Sequence, residues 1–269
     1  MAIDSIGIGA AAGFVRANHN YSNSSQRIAS GLRINSAVDD AAGSAISERM
    51  SAQVRGFDRA SKNTSDGISL AKTALGDLSA LTESIQRLRE LSIQSANGTL
   101  SSADRKLINT EADQLKQEVN RVVEVGNFNG IATLSRDDTV NIQVGPNAGD
   151  QVAIETANFV ETLQSTGFND VDLSSSTGAN DAIAVLDQML GEISSASVNF
   201  GSSINRFEST INHLASSGVN AAASQSRIRD ADMAREISKL SGALVMQQAN
   251  IALKVQANAR AALVLKLLG

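Results

Sequence analysis

The chain has 269 residues with 3% aromatics, one Pro, no Trp, no Cys and a formal net charge of -5. So few large side chains favour slender helical packing over a thick globular core. An acidic balance without clustered cations argues against nucleic acid, and there is no stretch of about 18 uninterrupted apolar residues for a membrane span.

In chain order, Met1 to Phe14 is small and apolar but lacks the basic leader of a secretory signal peptide, so leaving the cell would require another route. Glycines at 7, 9 and 13 lower helix propensity by about 1 kcal/mol each relative to Ala. The outermost segments, 1–43 and 226–269, mix small residues with Asn, Gln and Ser, as in Gln247-Gln248-Ala249-Asn250. They should be marginal alone and order only when packed. Ala261 to Leu268 is apolar nearly all round and would expose a sticky surface as an isolated helix.

A helical stripe runs from about Ala45 to Ala96 through Met50, Phe57, Leu78, Leu81, Ile85, Leu88 and Leu91, with Asn97-Gly98 as its stop. At 1.5 Å per residue this helix is roughly 80 Å long. A second block, Ser102 to Val125, places Ile108, Ala112, Leu115, Val119 and Val122 on one face and ends at Gly126, so it can fold back along the first. The period then changes to two: Val140, Ile142 and Val144, a turn cluster from Gly145 to Asp150, then Val152 and Ile154, which predicts a β-hairpin. Thr166 to Asn180 reads as a surface loop. From Asn180 to about Ser217, a heptad row of Ile183, Leu190, Ser197, Ile204 and Ile211 interleaves with Leu186, Ile193, Phe200, Phe207 and Leu214.

The expected fold is mainly α: a long helical bundle or coiled coil with a small β-hairpin, and with the N- and C-termini paired. Two domains are expected, 1–43 with 226–269 as a terminal coiled coil, and 44–225 as a helical bundle carrying the hairpin and loop at about 128–179.

Catalytic parts are scarce. Without cysteine there is no disulfide, thiolate nucleophile or cysteine-ligated metal. His19 and His213 are too few for a triad or metal cluster. The Gly145 to Gly149 cluster lacks the Lys-Ser/Thr of a phosphate loop. Asp39-Asp40 could be a carboxylate pair, but Asp is favoured at the first turn of a helix, so capping is the preferred reading. No enzyme activity, cofactor or metal is expected.

The stretch Gln26-Arg27-Ile28-Ala29-Ser30-Gly31-Leu32-Arg33-Ile34-Asn35-Ser36-Ala37-Val38-Asp39-Asp40-Ala41-Ala42-Gly43 resembles the signature of bacterial flagellins. Gln86-Arg87-Leu88-Arg89-Glu90-Leu91, Phe128-Asn129-Gly130 and Ser226 to Ala234 are similar to it as well. The similarity covers roughly 16–135 and 180–269. Two departures stand out: Ile3-Asp4-Ser5 replaces the family's usual Asn-Thr-Asn start, and the variable central domains are reduced to the hairpin and loop.

The resemblance implies a structural subunit that polymerises with itself into the flagellar filament, the propeller of swimming. A hook-filament junction protein is the alternative. It further implies a secreted, extracellular location, export unfolded through the flagellar type III apparatus with a secretion chaperone, and contacts with the filament cap and junction proteins. Assembly would draw on the signature residues Ser30, Gly31, Leu32, Arg33, Ile34, Asn35, Asp39 and Asp40. The resemblance also implies a patch for an animal innate-immune receptor at Gln86, Arg87, Leu91 and Glu111, with Arg87 and Leu91 on one helix face at i and i+4.

Overall fold

A computed structural model of the chain describes residues 2–268, with side chains described at 9, 11–260, 262 and 263. The Ile3-Asp4-Ser5 start and most of the apolar run at 261–268 therefore lie outside the described side chains. The elements are α1 (Ala2–Ser30), α2 (Ala41–Ala96), α3 (Ser102–Val125), β1 (Asn127–Phe128), β2 (Ile131–Ala132), β3 (Thr139–Gln143), β4 (Gln151–Glu155), α4 (Phe159–Ser165), a 3-10 turn at Phe168–Asp170, α5 (Ser176–Arg229) and α6 (Met233–Leu268). They form two compact units, Met1–Val54 with Val219–Gly269 and Arg55–Gly218. The division thus falls within α2 and α5, and each of these helices contributes to both units.

In the unit Arg55–Gly218, α2 presents Ala60, Thr64, Leu70, Ala71, Ala74, Leu78, Leu81, Ile85 and Leu88 as buried side chains, a seam with alternating steps close to three and four. Such spacing keeps one stripe facing neighbouring helices. α3 starts at a capping box in which Ser101 Oγ accepts from the Asp104 amide and the Asp104 carboxylate accepts from the Ser101 amide. This reciprocal pair satisfies two donors that a bare helix end leaves open. Arg105 then donates to the Ser95, Asn97 and Leu100 carbonyls, fastening the α2–α3 turn.

The heptad on α5 is rotated by one residue from its expected place. Leu186, Ile193, Phe200, Phe207 and Leu214 are buried, but the companion row is Ala182, Met189, Ala196 and Ser203. Ile183, Leu190, Ser197, Ile204 and Ile211 are half-buried beside it. A helix facing two neighbours needs a wider apolar stripe than a two-stranded seam, so small residues take the centre while branched ones cover the flank.

Thr139–Gln143 and Gln151–Glu155 pair antiparallel in the register Val140 to Ile154 and Ile142 to Val152. The hairpin lies on α2: Asn63 Nδ2 donates to the Gln143 carbonyl at 3.1 Å. A Cβ on Gly56 would stand 2.7 Å from Pro146 Cβ, so this helix position is notched for the hairpin turn. The shorter β1–β2 pair turns at Asn129 and Gly130, both at positive φ, as a type I′ hairpin requires.

The segment 166–180 is not a loose surface loop. Phe168, Val171 and Leu173 are buried in the same core as Phe159 and Leu163 of α4. Lys116 Nζ donates to the Val171 carbonyl, Ser95 Oγ to the Leu173 carbonyl, and the Leu173 amide to Asn109 Oδ1. Its Ser-rich composition hid three apolar anchors at irregular spacing, which carry no periodic signal.

Candidate functional site: crossed turns and paired terminal helices

All residues of this site belong to the unit Met1–Val54 with Val219–Gly269. α1 ends when Gly31 takes φ +71, a left-handed closure that a Cβ would strain. Ser30 Oγ donates to the Gln26 carbonyl and accepts from the Leu32 amide. The chain then crosses the turn between α5 and α6. Leu32 bridges antiparallel to Asp230, the Ala231 amide donates to the Gly31 carbonyl at 2.9 Å, and the Arg33 amide donates to the Arg229 carbonyl at 2.7 Å.

Arg33 acts twice, because its guanidinium also donates to the Ile228 carbonyl. The last carbonyls of a helix have no partner within it and carry a partial negative charge. Arg33 therefore closes the C-terminus of α5 with both backbone and side chain. Ile34 is buried as the apolar plug of the crossing, while Val38 at the tip is 95% exposed.

The neighbouring aspartates have separate tasks. Asp39 Oδ2 accepts from the Asn35 and Ser36 amides at 3.1 and 3.0 Å and from Ser36 Oγ. These bonds, the Ser36 amide first and the Asn35 amide second, hold its carboxyl below the usual aspartate range. Asp40 Oδ1 accepts from the Gly43 amide at 2.9 Å and so caps α2. The second crossing strand is capped likewise, with Asp232 Oδ1 accepting from the Arg235 amide at the start of α6.

From these turns α1 and α6 run antiparallel. Ser24 Oγ donates to Glu236 Oε2 at 3.1 Å, and Lys239 Nζ and Arg27 Nη1 lie 2.8 and 3.7 Å from Glu236 Oε1. The buried residues between the helices are Ala17 and Ser24 on one side and Glu236, Ala243 and Asn250 on the other. Each set repeats at seven. The seam is thus small or polar, whereas Ile237, Leu244, Val245, Ile251 and Val255 on α6 are exposed.

On the other unit, Arg87 Nε and Nη2 donate to Glu111 Oε1 at 3.0 and 2.8 Å, and Nη1 donates to Glu90 Oε2 at 3.0 Å. The Glu111 bonds, followed by the Glu90 bond, raise the Arg87 pKa. Gln86 is exposed on the same helix. Leu91, however, is 2% exposed and belongs to the core. The i and i+4 spacing therefore does not put it on one surface with Arg87, because the helix turns its fourth residue back into the α2 seam.

Sequence reasoning missed Glu236, Arg27 and Asn250 as interacting residues. The signal for the first was a single acid in the first turn of α6, which reads equally well as a dipole partner. Among the described residues no group of three or more His, Cys, Asp or Glu could hold a metal. His19 is an exposed residue that meets Asn23. No described helix is long and apolar enough to cross a membrane.

Residues 8–139 match the model of the bacterial flagellin N-terminal helical region, and 183–268 that of the C-terminal helical region. The chain is 40% identical over 244 residues to a flagellin of Halalkalibacterium halodurans, covering 90% of each chain. It is 37% identical over 276 residues to a flagellin of Bacillus subtilis, covering 90% of this chain and 91% of that one. A flagellar filament core protein of Brachyspira hyodysenteriae is 37% identical over 258 residues, covering 90% of each. The crystal structure of Bacillus cereus flagellin superposes with TM-score 0.52 and 28% identity over 61% of this chain and 94% of that one.

Proposed function

The chain belongs to the bacterial flagellin family and is a structural subunit of the flagellar filament, and from that premise we propose how its parts divide the work. The family is one of structural proteins that polymerise with themselves. Residues 1–43 and 226–269 make the inner-core contacts of the polymer, and residues 44–225 make the lateral contacts of its outer core. The observation that carries this division is the inverted face of α6: its seam against α1 is Glu236, Ala243 and Asn250, while its larger apolar side chains point away. A helix pair built this way buries little apolar area internally and offers much to neighbours.

The crossed turns support the same reading. Of the signature residues, Gly31, Leu32, Arg33 and Ile34 tie the end of α1 to the turn between α5 and α6, Ser30 and Asn35 brace that crossing locally, and Asp39 and Asp40 set the start of α2. They position the terminal helices for assembly without themselves doing chemistry. Contacts between identical subunits that do not close into a ring propagate as a helical polymer.

The subunit reaches the extracellular filament by export in unfolded form, through a type III apparatus, with a secretion chaperone, the filament cap and hook-filament junction proteins as partners. Absence of cysteine suits this route, since no covalent cross-link would have to be undone before passage. A junction protein is disfavoured, because relatives at 37–40% identity are flagellins and filament core proteins.

Electron microscopy of purified chain, before and after addition of short filament seeds, tests the filament role. Elongating tubes with a repeating subunit are expected. A monodisperse monomer that never elongates overturns it.

A further inference from the structure

The two polar side chains that α6 buries against α1 are unequal. Glu236 is engaged by Ser24 and Lys239, with Arg27 nearby. Asn250 is 8% exposed, and its Nδ2 has no hydrogen-bond partner among the described residues. Its amide occupies the space that a side chain at position 13 would need: a Cβ on Gly13 would lie 2.9 Å from Asn250 Oδ1 and 3.2 Å from Nδ2. The absence of a Cβ at Gly13 is what lets the amide in.

We propose that Asn250 seated in the Gly13 notch is a register lock of the terminal helix pair. This deepens the filament reading and rests on it, because a terminal pair of one fixed register is what identical subunits must present to one another. Nearer the turns the Leu32–Asp230 bridge and the Ser24–Glu236 hydrogen bond favour the same register, and because each helix is unbroken a slip along the seam gives up both. One heptad further lie Ala17 and Ala243, and two methyl groups distinguish poorly between one register and the next. Asn250 then supplies the next feature that can discriminate. A polar residue buried in a coiled-coil seam selects register at a cost in stability, because each alternative seat must desolvate the amide as well as accommodate it. A one-heptad slip toward the turns would set Asn250 against Asn20, whose side chain fills the volume that Gly13 leaves free.

The test uses the full-length chain with spin labels at Val15→Cys and Val255→Cys, positions 66% and 64% exposed. No native cysteine competes for the label. Labelled chain is copolymerised with an excess of unlabelled chain, and the distance between labels within the filaments is measured by double electron–electron resonance. The unsubstituted seam gives one narrow distance. Asn250→Leu is expected to add a second distance population, produced by an axial slip of about 10 Å, one heptad of helical rise, and to raise it at least about tenfold over its starting level. Its melting temperature holds or rises, since an unpaired buried donor has been replaced by apolar contact. Gly13→Ala, which keeps Asn250 and only fills the notch, gives the same displaced population, and it decides alone if Asn250→Leu does not fold. A single unchanged distance in the variants overturns the lock, and a lowered melting temperature with that unchanged distance marks a packing role only. Micrographs of the same samples read assembly separately: unsubstituted chain that never elongates refutes the filament reading, whereas filaments with an unchanged distance refute only the lock.

Discussion

Glu236 on α6 accepts a hydrogen bond from the Ser24 hydroxyl of α1 across 212 residues of sequence. The Lys239 hydrogen bond is the strongest influence on its carboxyl, followed by burial, which opposes it, and the Ser24 bond; the net effect holds it below the usual glutamate range. A carboxyl lowered in the folded state stabilises when charged. Its contribution is complete above the ordinary glutamate range and is lost as pH falls through the lowered value.

Acid should therefore loosen the α1–α6 pair. Glu236→Gln is expected to remove part of the acid limb of the stability curve and to cost about 1–3 kcal/mol near neutrality, as a buried charged hydrogen bond is replaced by a weaker one. Circular dichroism melts across an acid-to-neutral series check both effects. An acid limb identical in the two proteins would assign it to other carboxylates.

Gly43 lies in the first turn of α2, where a Cβ would run into the Asp40 carboxylate and approach Ile34 Cδ1 to 2.7 Å. Helix propensity alone favours alanine there by about 1 kcal/mol. The crowding opposes it, because overpacking costs about 1–3 kcal/mol and the Asp40 cap would be displaced. Gly43→Ala is expected to destabilise on balance, and urea unfolding that shows a gain would mean that Asp40 and Ile34 yield without loss.

Phe168 is fully buried between α4 and the core, in a segment whose composition suggests a loop. Phe168→Ala should cost about 3–5 kcal/mol, the usual range for emptying an aromatic site. Limited proteolysis should shift to the segment around 166–175. A change under about 1 kcal/mol would show that this segment opens freely.

For the patch that the family resemblance links to an immune receptor, Arg87→Ala and Glu111→Ala remove an exposed ion pair and should change stability by less than about 1 kcal/mol. Leu91→Ala empties a core site and should cost about 2–5 kcal/mol. If the patch is a receptor epitope, reporter cells bearing the receptor lose their response to the folded Arg87→Ala protein. An undiminished response would sink that assignment, and a loss with Leu91→Ala alone would report unfolding.

The length and ends of α3 were legible because an apolar face and a glycine stop coincide within one segment. The hairpin was equally legible, since strict alternation around a Gly and Pro turn has few other readings. Phe168 and Leu173 were not, because the core they join is drawn largely from α2, α3 and α5 and no local period marks them. The α5 seam was read one residue off for a related reason. Ile183 and Ala182 compete for the centre of the stripe, and only the number of neighbouring helices decides which is buried.

The sequence by itself determined the helical material, the hairpin and the family, through periodicity, stop signals and a long contiguous signature. Those are local properties, set by residues close enough in the chain to interact whatever the fold. Tertiary structure alone decided that Arg33 closes the end of α5, that Leu91 turns inward from Arg87, and that Glu236 and Asn250 face α1. Each depends on which helices come together from opposite ends of the chain, and burial and hydrogen bonding are settled only when those partners meet.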